Sequence, residues 1–393
     1  MSSSRQAGFA QGVILSIMPL FAMMGAMLIS PVLPAIEHDF AHTPRAQWLV
    51  PTLLTAPALC LGLLSPLGGR LTAKFGARRT LLAGLMFYGL AGTAPAYLPN
   101  LALIMASRLI VGIAEALIVT ASAVMLSDYF GGDTRQKWFA YQTVVLTVLG
   151  SVLIYGNALL ADMGWRISFY AYGLSFFVLV MAIRLLFEPS SMTVQIRTHR
   201  WRGIFPPLAS TAMILGVAIP GSVAYYVAPV EIGFLLREKG FAGVMIAGKL
   251  VAGAVLLGQI GPLMSRFLTH VSMARVLILS SLLMAAGMAG MSIGRSLPTV
   301  GLGMALQQIG GGLMLTTGLT LTARLAPETE RGRYMGAWFF FYMLAQFFAP
   351  MIVTLIDVAS QTHARALLID AILVASGSLW TLIPAELRRP VVA

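Results

Sequence analysis

Gly69-Arg70-Leu71-Thr72-Ala73-Lys74-Phe75-Gly76-Ala77-Arg78-Arg79 is a short turn carrying four positive charges, set between apolar runs at 46–69 and 79–99. Each run is close to the roughly 20 mostly apolar residues that a helix needs to cross the hydrocarbon core of a bilayer. So short a basic turn between two such runs reads as a hairpin of membrane helices with its connection on the cytoplasmic side. Outward from it the pattern repeats. Apolar runs at 11–36, 101–127, 138–161, 166–187, 205–235, 241–265, 273–293, 297–324, 334–357 and 364–384 bring the total to twelve. The 393 residues are 58% hydrophobic and only 10% charged, too little charge for the surface of a soluble domain of this length.

The net charge of +12 suits either nucleic acid or a membrane topology, and its placement decides between them. With the N-terminus inside, eighteen Lys and Arg fall on inner segments and six on outer ones, while Arg108 and Lys249 lie within spans. That asymmetry is the positive-inside bias, so no nucleic-acid partner is expected. The one cysteine, Cys60, excludes an intrachain disulfide. The five histidines fall in or near connections at spacings that build no metal site, so no metal is expected. The first apolar run is too long for a signal-peptide core and reads as a retained span. A multi-pass protein of a bacterial-type inner membrane follows, with both termini cytoplasmic, the lipid bilayer around it and a monomer as the default.

The two halves of the chain echo each other. Ser30-Pro31-Val32 closes the first span, and Ala228-Pro229-Val230 stands 198 positions later in the seventh. Gly69-Arg70-Leu71 is answered by Gly261-Pro262-Leu263, 192 later, and Arg135 and Lys137 by Arg331 and Arg333, 196 later. The expected fold is all-α integral membrane: twelve transmembrane helices in two six-helix bundles, 1–187 and 205–393, related by pseudo-two-fold symmetry and joined by a cytoplasmic linker at 188–204. Bundles that rock about a shared cavity expose it to alternate sides, which is how secondary transporters work. Gly216, Gly221, Gly248, Gly253 and Gly310-Gly311-Gly312 are candidates for close helix packing or for hinges.

The turn from Gly69 to Arg79 resembles the signature loop of the major facilitator superfamily, and Ser107-Arg108-Leu109-Ile110-Val111-Gly112 resembles the Arg-then-Gly pattern of its fourth helix. Leu33-Pro34-Ala35-Ile36, Gly164-Trp165-Arg166 and Glu330-Arg331-Gly332-Arg333 fit the same family and, more loosely, its drug/proton antiporter branches. The resemblance covers essentially the whole chain. It implies the major facilitator fold, transport rather than catalysis, and a gating role for Gly69, Gly76, Arg78 and Arg79. Ala73 departs from the Asp of the signature loop, and Ser265 holds the comparable place in the second half. The latch that the resemblance implies for that acid is missing its residue here, and Asp128, at the inner end of the fourth span, is the acid left to take part in it. In the fifth span Gly150 and Gly156 remain, but the Pro of the antiporter branches is missing and Asn157 follows Gly156.

A charge at mid-membrane costs roughly 2.5–3.5 kcal/mol even on an insertion scale, so it needs a reason. Arg108 and Glu115 in the fourth span are seven residues apart, on one helical face and about 10 Å apart along the axis. Arg108 is a candidate substrate or gating cation, and Glu115 a candidate proton carrier; the plain alternative is a polar pair that fixes packing. Lys249 in the eighth span is a candidate partner for an anionic substrate or for Glu231 of the seventh. Glu231 and Asp370 complete the proton-coupling candidates. Trp338, Tyr342 and Gln346 share an i, i+4, i+8 stripe and, with Tyr225, Tyr226, Gln307 and Gln308, form the candidate substrate-binding set of rings and amides.

No Walker loop, HExxH or nucleophile elbow occurs. The chain therefore reads as no enzyme and as needing no cofactor, driven by an ion gradient, most simply of protons. The leading expectation is a secondary active transporter working by alternating access, exporting a small amphipathic compound against a proton gradient. The alternatives are a proton-coupled symporter importing a small organic anion through Arg108 and Lys249, and an integral-membrane enzyme acting on lipid. The latter would need acids or histidines converging on loops at one membrane surface.

Overall fold

The computed structural model describes residues 7–188, 205–241, 243–327 and 330–378, and the side chains at 65–71, 73 and 136 lie outside that description. Nearly all of the linker expected at 188–204, with Arg197, Arg200 and Arg202, also lies outside the described residues. The helices in chain order are α1 (Phe9–Ile17), α2 (Pro19–Met27), α3 (Leu33–Asp39), α4 (Ala46–Phe75), α5 (Ala77–Thr93), α6 (Leu101–Tyr129), α7 (Gly132–Asp162) and α8 (Leu174–Leu185). They continue with α9 (Leu208–Glu238), α10 (Val244–Gly258), α11 (Ile260–Phe267), α12 (Met273–Ile293), α13 (Leu297–Leu325), α14 (Arg331–Ser360) and α15 (His363–Gly377). Short 3₁₀ turns fill Ser30–Val32, Ala94–Ala96 and Ile167–Gly173.

Among the described residues nine stretches are long and apolar enough to cross a membrane. The other three expected spans are helical too: α5 is 17 residues long, Gln and Thr dilute the apolarity of α13, and α15 runs to the edge of the described residues. The first span is one apolar stretch, Phe9–Asp39, but not one helix. Pro19 opens α2, Pro31 sits in a 3₁₀ turn and Pro34 lies in the first turn of α3. Each lacks the N–H that a continuous helix would use.

Packing divides the chain into two compact units. Unit 1 is Met1–Ile29 with Ala56–Arg202, and unit 2 is Ser30–Thr55 with Gly203–Ala393. The sequence halves place 30–55 with the N-terminal bundle, whereas by packing this segment belongs to unit 2. Side chains give the reason. Ser30 Oγ donates to the carbonyl of Pro229, the residue that answers Pro31 in the other half. Pro34 lies against Gly233, and Thr55 Oγ1 donates to the Phe347 carbonyl at 3.2 Å.

Within unit 1, α6 carries Arg108 and Glu115 among its buried residues. Asn100 caps it, accepting from Leu103 N–H at 2.9 Å. Gly112 lets α6 approach the backbone of Pro57 in α4; a Cβ there would stand 2.6 Å from Pro57 Cα. Because that neighbour is backbone and cannot swing aside, Gly112→Ala is expected to cost roughly 1–3 kcal/mol, read as a lower melting temperature in detergent. An unchanged melting temperature would mean that α4 and α6 are less tightly apposed.

Within unit 2, the Gly310-Gly311-Gly312 run is a packing device rather than a hinge. Gly310 faces Ser280 and Met284 of α12, Gly311 faces the Tyr225 ring of α9, and Gly312 faces Gly258 and Pro262 of α10 and α11. Three successive residues each admit a different helix, and a side chain at any of them would meet atoms closer than van der Waals contact.

Candidate functional site

Arg108 and Glu115 sit two turns apart on α6 and both reach Gly25 of α2. Arg108 is 0% exposed and its Nη2 donates to the Gly25 carbonyl. Glu115 is 2% exposed, and its carboxyl fills the space that a Cβ on Gly25 would take. Gly is therefore required where a cation and an acid converge on one turn of backbone. Tyr172 donates to the same carbonyl at 3.1 Å, and its ring centroid lies 5.1 Å from the Arg108 guanidinium. Tyr88 stands behind it, 5.3 Å from the Tyr172 ring, with its hydroxyl donating to the Phe21 carbonyl at 2.9 Å. Glu115 Oε1 is buried and has no hydrogen-bond partner among the described residues. The cluster thus holds a fixed cation beside a carboxyl oxygen that no hydrogen bond has claimed. The one-face geometry expected for this pair is what the structure shows.

The amide and aromatic candidates form a second cluster in unit 2, organised by a proline. Pro229 lies inside α9 and has no N–H to give to the Tyr225 carbonyl one turn earlier. Gln307 Nε2 donates to that carbonyl at 3.1 Å and to the Ala224 carbonyl at 2.6 Å. Gln308 Nε2 donates to Gln307 Oε1 at 2.9 Å. The two amides are therefore already engaged in repairing a broken helix. Tyr225 and Tyr226 lie edge to face, 5.4 Å apart. Trp338, Tyr342 and Gln346 do share one face, and all three are buried. Trp338 packs on Gly318 and stacks 5.9 Å from Tyr342, whose carbonyl accepts from Ser222 at 2.8 Å. Asp370 is buried in α15 and lines a cavity of about 170 Å³ with Ser281, Met314 and Val217.

The pairing suggested between Lys249 and Glu231 does not form. Lys249 is exposed, and the partner of Glu231 is His363, whose Nδ1 lies 2.8 Å from Glu231 Oε2 and 3.3 Å from Asp357 Oδ1. Glu231 is also buried rather than wetted at a rim. Neither Asp357 nor His363 stands out in the sequence, because residues 132 apart, such as Glu231 and His363, meet only through folding. Burial opposes a charge on His363, yet hydrogen bonds and charge from Asp357 and Glu231 outweigh it and push the imidazolium up to about 10 from 6.5. A raised pKa stabilises the fold fully below the unfolded value and loses that contribution as pH climbs through the folded one. With chelator present, the wild-type melting temperature is expected to fall between about pH 7 and 10, and His363→Ala to flatten that limb. A variant that keeps the full slope would remove His363 as its source.

At the signature turn, Gly76 adopts φ +96°, which favours glycine, and Arg78 ties α5 to the end of α8. Arg78 Nε donates to the Leu186 carbonyl and Nη2 to the Ile183 carbonyl, both at 2.8 Å. Arg79 is exposed, and the side-chain position of Gly69 lies outside the described residues. Asp128, the expected substitute latch, is exposed. Its neighbour Tyr129 makes the link instead, accepting from Phe187 N–H at 2.9 Å and stacking on the Phe187 ring at 4.7 Å.

Comparison with known proteins agrees with this architecture. The family model described as Major Facilitator Superfamily matches residues 15–350. The quinolone resistance protein NorA of Staphylococcus aureus is 27% identical over 174 residues, 43% of each chain. The bacillibactin exporter of Bacillus subtilis strain 168 is 31% identical over 166 residues, 40% of each. The matched stretches thus span less than half the length of these relatives. Two solved structures are similar over nearly the whole chain and speak for the fold alone. A bacterial homolog to the human lysosomal transporter Spinster has a TM-score of 0.78 at 14% identity, covering 96% of both chains. A D-xylose-proton symporter has a TM-score of 0.76 at 14% identity, covering 98% of both.

Proposed function

Because this chain belongs to the major facilitator superfamily, and is therefore a multi-pass membrane transporter rather than an enzyme, we propose that it exports a small amphipathic compound in exchange for protons. On this reading it lies in a bacterial inner membrane with both termini cytoplasmic, an orientation that the asymmetry of Lys and Arg supports. It needs no cofactor beyond the proton gradient. The observation that carries the proposal is Glu115: a carboxyl buried in unit 1, beside Arg108 and without a hydrogen-bond partner for Oε1 among the described residues. A proton binding there changes the charge next to a fixed cation, and in a low-dielectric interior such a change is strongly felt. The likeness to the bacillibactin exporter supports the outward direction, and the likeness to the quinolone resistance protein NorA supports a drug-like substrate. Glu231 and Asp370 are the further proton-coupling candidates, and Arg108, Tyr225, Tyr226, Trp338, Tyr342 and Gln346 are the substrate-side set, the Gln307 and Gln308 amide nitrogens being engaged with α9 and with each other.

The test is flux. Purified protein reconstituted into vesicles and given an imposed pH gradient is expected to move a fluorescent quinolone uphill, opposite to the protons. Movement with the protons would identify a symporter, and movement indifferent to the gradient would sink proton coupling.

A further inference from the structure

A second group of ionisable side chains meets in unit 2, away from Arg108 and Glu115. Glu231 comes from α9, Asp357 from the last turn of α14, and His363 is the first residue of α15. One candidate ligand atom from each lies within 4.8 Å of the other two. His363 is held through both its ring and its backbone. Phe234 stacks on its ring at 5.3 Å, and its backbone N–H donates to Glu238 Oε2 at 2.7 Å. Gln361, at φ +67°, turns the chain between α14 and α15, and Thr362 caps the new helix.

The arrangement asks more of one nitrogen than a proton can supply. Nδ1 carries at most one hydrogen, yet two carboxylate oxygens point at it, from 2.8 and 3.3 Å. Asp357 Oδ1 is buried and, apart from this 3.3 Å approach to Nδ1, has no hydrogen-bond partner among the described residues. A cavity of about 470 Å³ adjoins all three residues and is lined also by Glu37 and Glu238. Four carboxylates thus surround one imidazole, with Arg237 the basic group acting on Glu37 besides His363.

We propose that Glu231, Asp357 and His363 form a binding site for a divalent transition-metal cation, of which Zn²⁺ is the representative. His363 Nδ1 and one oxygen from each carboxylate are the ligands, and water from the cavity completes the sphere. Bonds of about 2.0–2.2 Å in a tetrahedron set neighbouring donors about 3.3–3.6 Å apart, near the 2.8 and 3.3 Å that separate Nδ1 from the two carboxylate oxygens. One imidazole with two carboxylates suits Zn²⁺ or Mn²⁺ better than Mg²⁺ or Ca²⁺, which favour oxygen alone. A divalent charge satisfies both carboxylate oxygens and the nitrogen at once, where a single Nδ1 hydrogen must be shared between two acceptors. Bound metal would fasten the α14–α15 turn to α9 and strengthen the fold by linkage. The inference stands on geometry and does not depend on the direction or coupling of transport.

The full-length protein, purified in detergent and stripped with chelator, is titrated with ZnCl₂ by calorimetry, and its melting temperature is followed in parallel. One Zn²⁺ per chain is expected at micromolar concentration, with a raised melting temperature and no such response to MgCl₂. His363→Ala and Asp357→Asn should each weaken binding at least about tenfold, while His270→Ala, at an exposed histidine elsewhere, leaves it unchanged. Asp357→Asn keeps the side-chain shape, and its melting temperature in chelator reports the fold separately. Absence of stoichiometric Zn²⁺ binding, or binding that survives both substitutions, overturns the site. Proton coupling carried by Glu115 uses none of these ligands, so flux that fails in Glu115→Gln and Zn²⁺ binding that fails in Asp357→Asn are separate results.

Discussion

Replacing Glu115 with Gln is expected to lower pH-driven flux by at least about tenfold while leaving folded protein in the membrane. Gln matches Glu in size, so the fit against Gly25 is retained and the close approach of α2 and α6 is not disturbed. What is removed is the capacity to exchange a proton. A carboxyl locked by several hydrogen bonds makes a poor carrier, because each bond must break before the charge can change. Glu115 Oε1 has no such bond among the described residues, although the side chain is buried. The substituted amide would also place an N–H donor near the Arg108 cation, so a mild drop in substrate affinity is expected alongside the loss of coupling. The decisive readout is flux with and without the gradient at matched protein content. Equal gradient dependence in the variant and the wild type would assign coupling elsewhere, with Glu231 the next acid to test.

How much of this was legible beforehand depends on the range over which each interaction acts. Spans are a local property of about 20 residues, so hydropathy marks them, and α6 could be read further because seven residues make two turns of a helix. The pair on its face followed from spacing alone. Its meeting point did not: nothing in the local sequence singles out Gly25 among 39 glycines, and only packing shows that a side chain there would displace Glu115. Periodicity likewise gave Trp338, Tyr342 and Gln346 one face but not what covers it, since a stripe against Gly318 and a stripe against a cavity have the same spacing. The membership of Ser30–Thr55 in unit 2 was hidden for a related reason. Chain order assigns a segment to its neighbours, whereas Ser30 bonds to Pro229, 199 positions away. The histidine site was furthest from view, because metal-ligand spacing rules look within one loop or helix and these ligands come from three elements.

Arg108→Ala is expected to be the most destabilising single change in unit 1, at roughly 3–5 kcal/mol, the range for removing one partner from a buried charged cluster. The guanidinium is fully buried, donates to the Gly25 carbonyl and lies against the Tyr172 ring. Its loss opens a void among α2, α6 and the Ile167–Gly173 turn and strips the nearby positive charge from Glu115. Lys at this position should recover only part of the loss, since an ammonium restores the charge but not the planar fork that serves the carbonyl and ring together. The two halves of the effect separate in a double-mutant cycle of thermal stability. If Arg108 offsets the charge on Glu115, the Arg108→Ala, Glu115→Gln double variant will be more stable than the sum of the single losses allows. Strict additivity would instead make Arg108 a residue that packs against Gly25 and Tyr172 without offsetting the charge on Glu115. Proton movement at Glu115 would then be felt by the rest of the protein through some other neighbour.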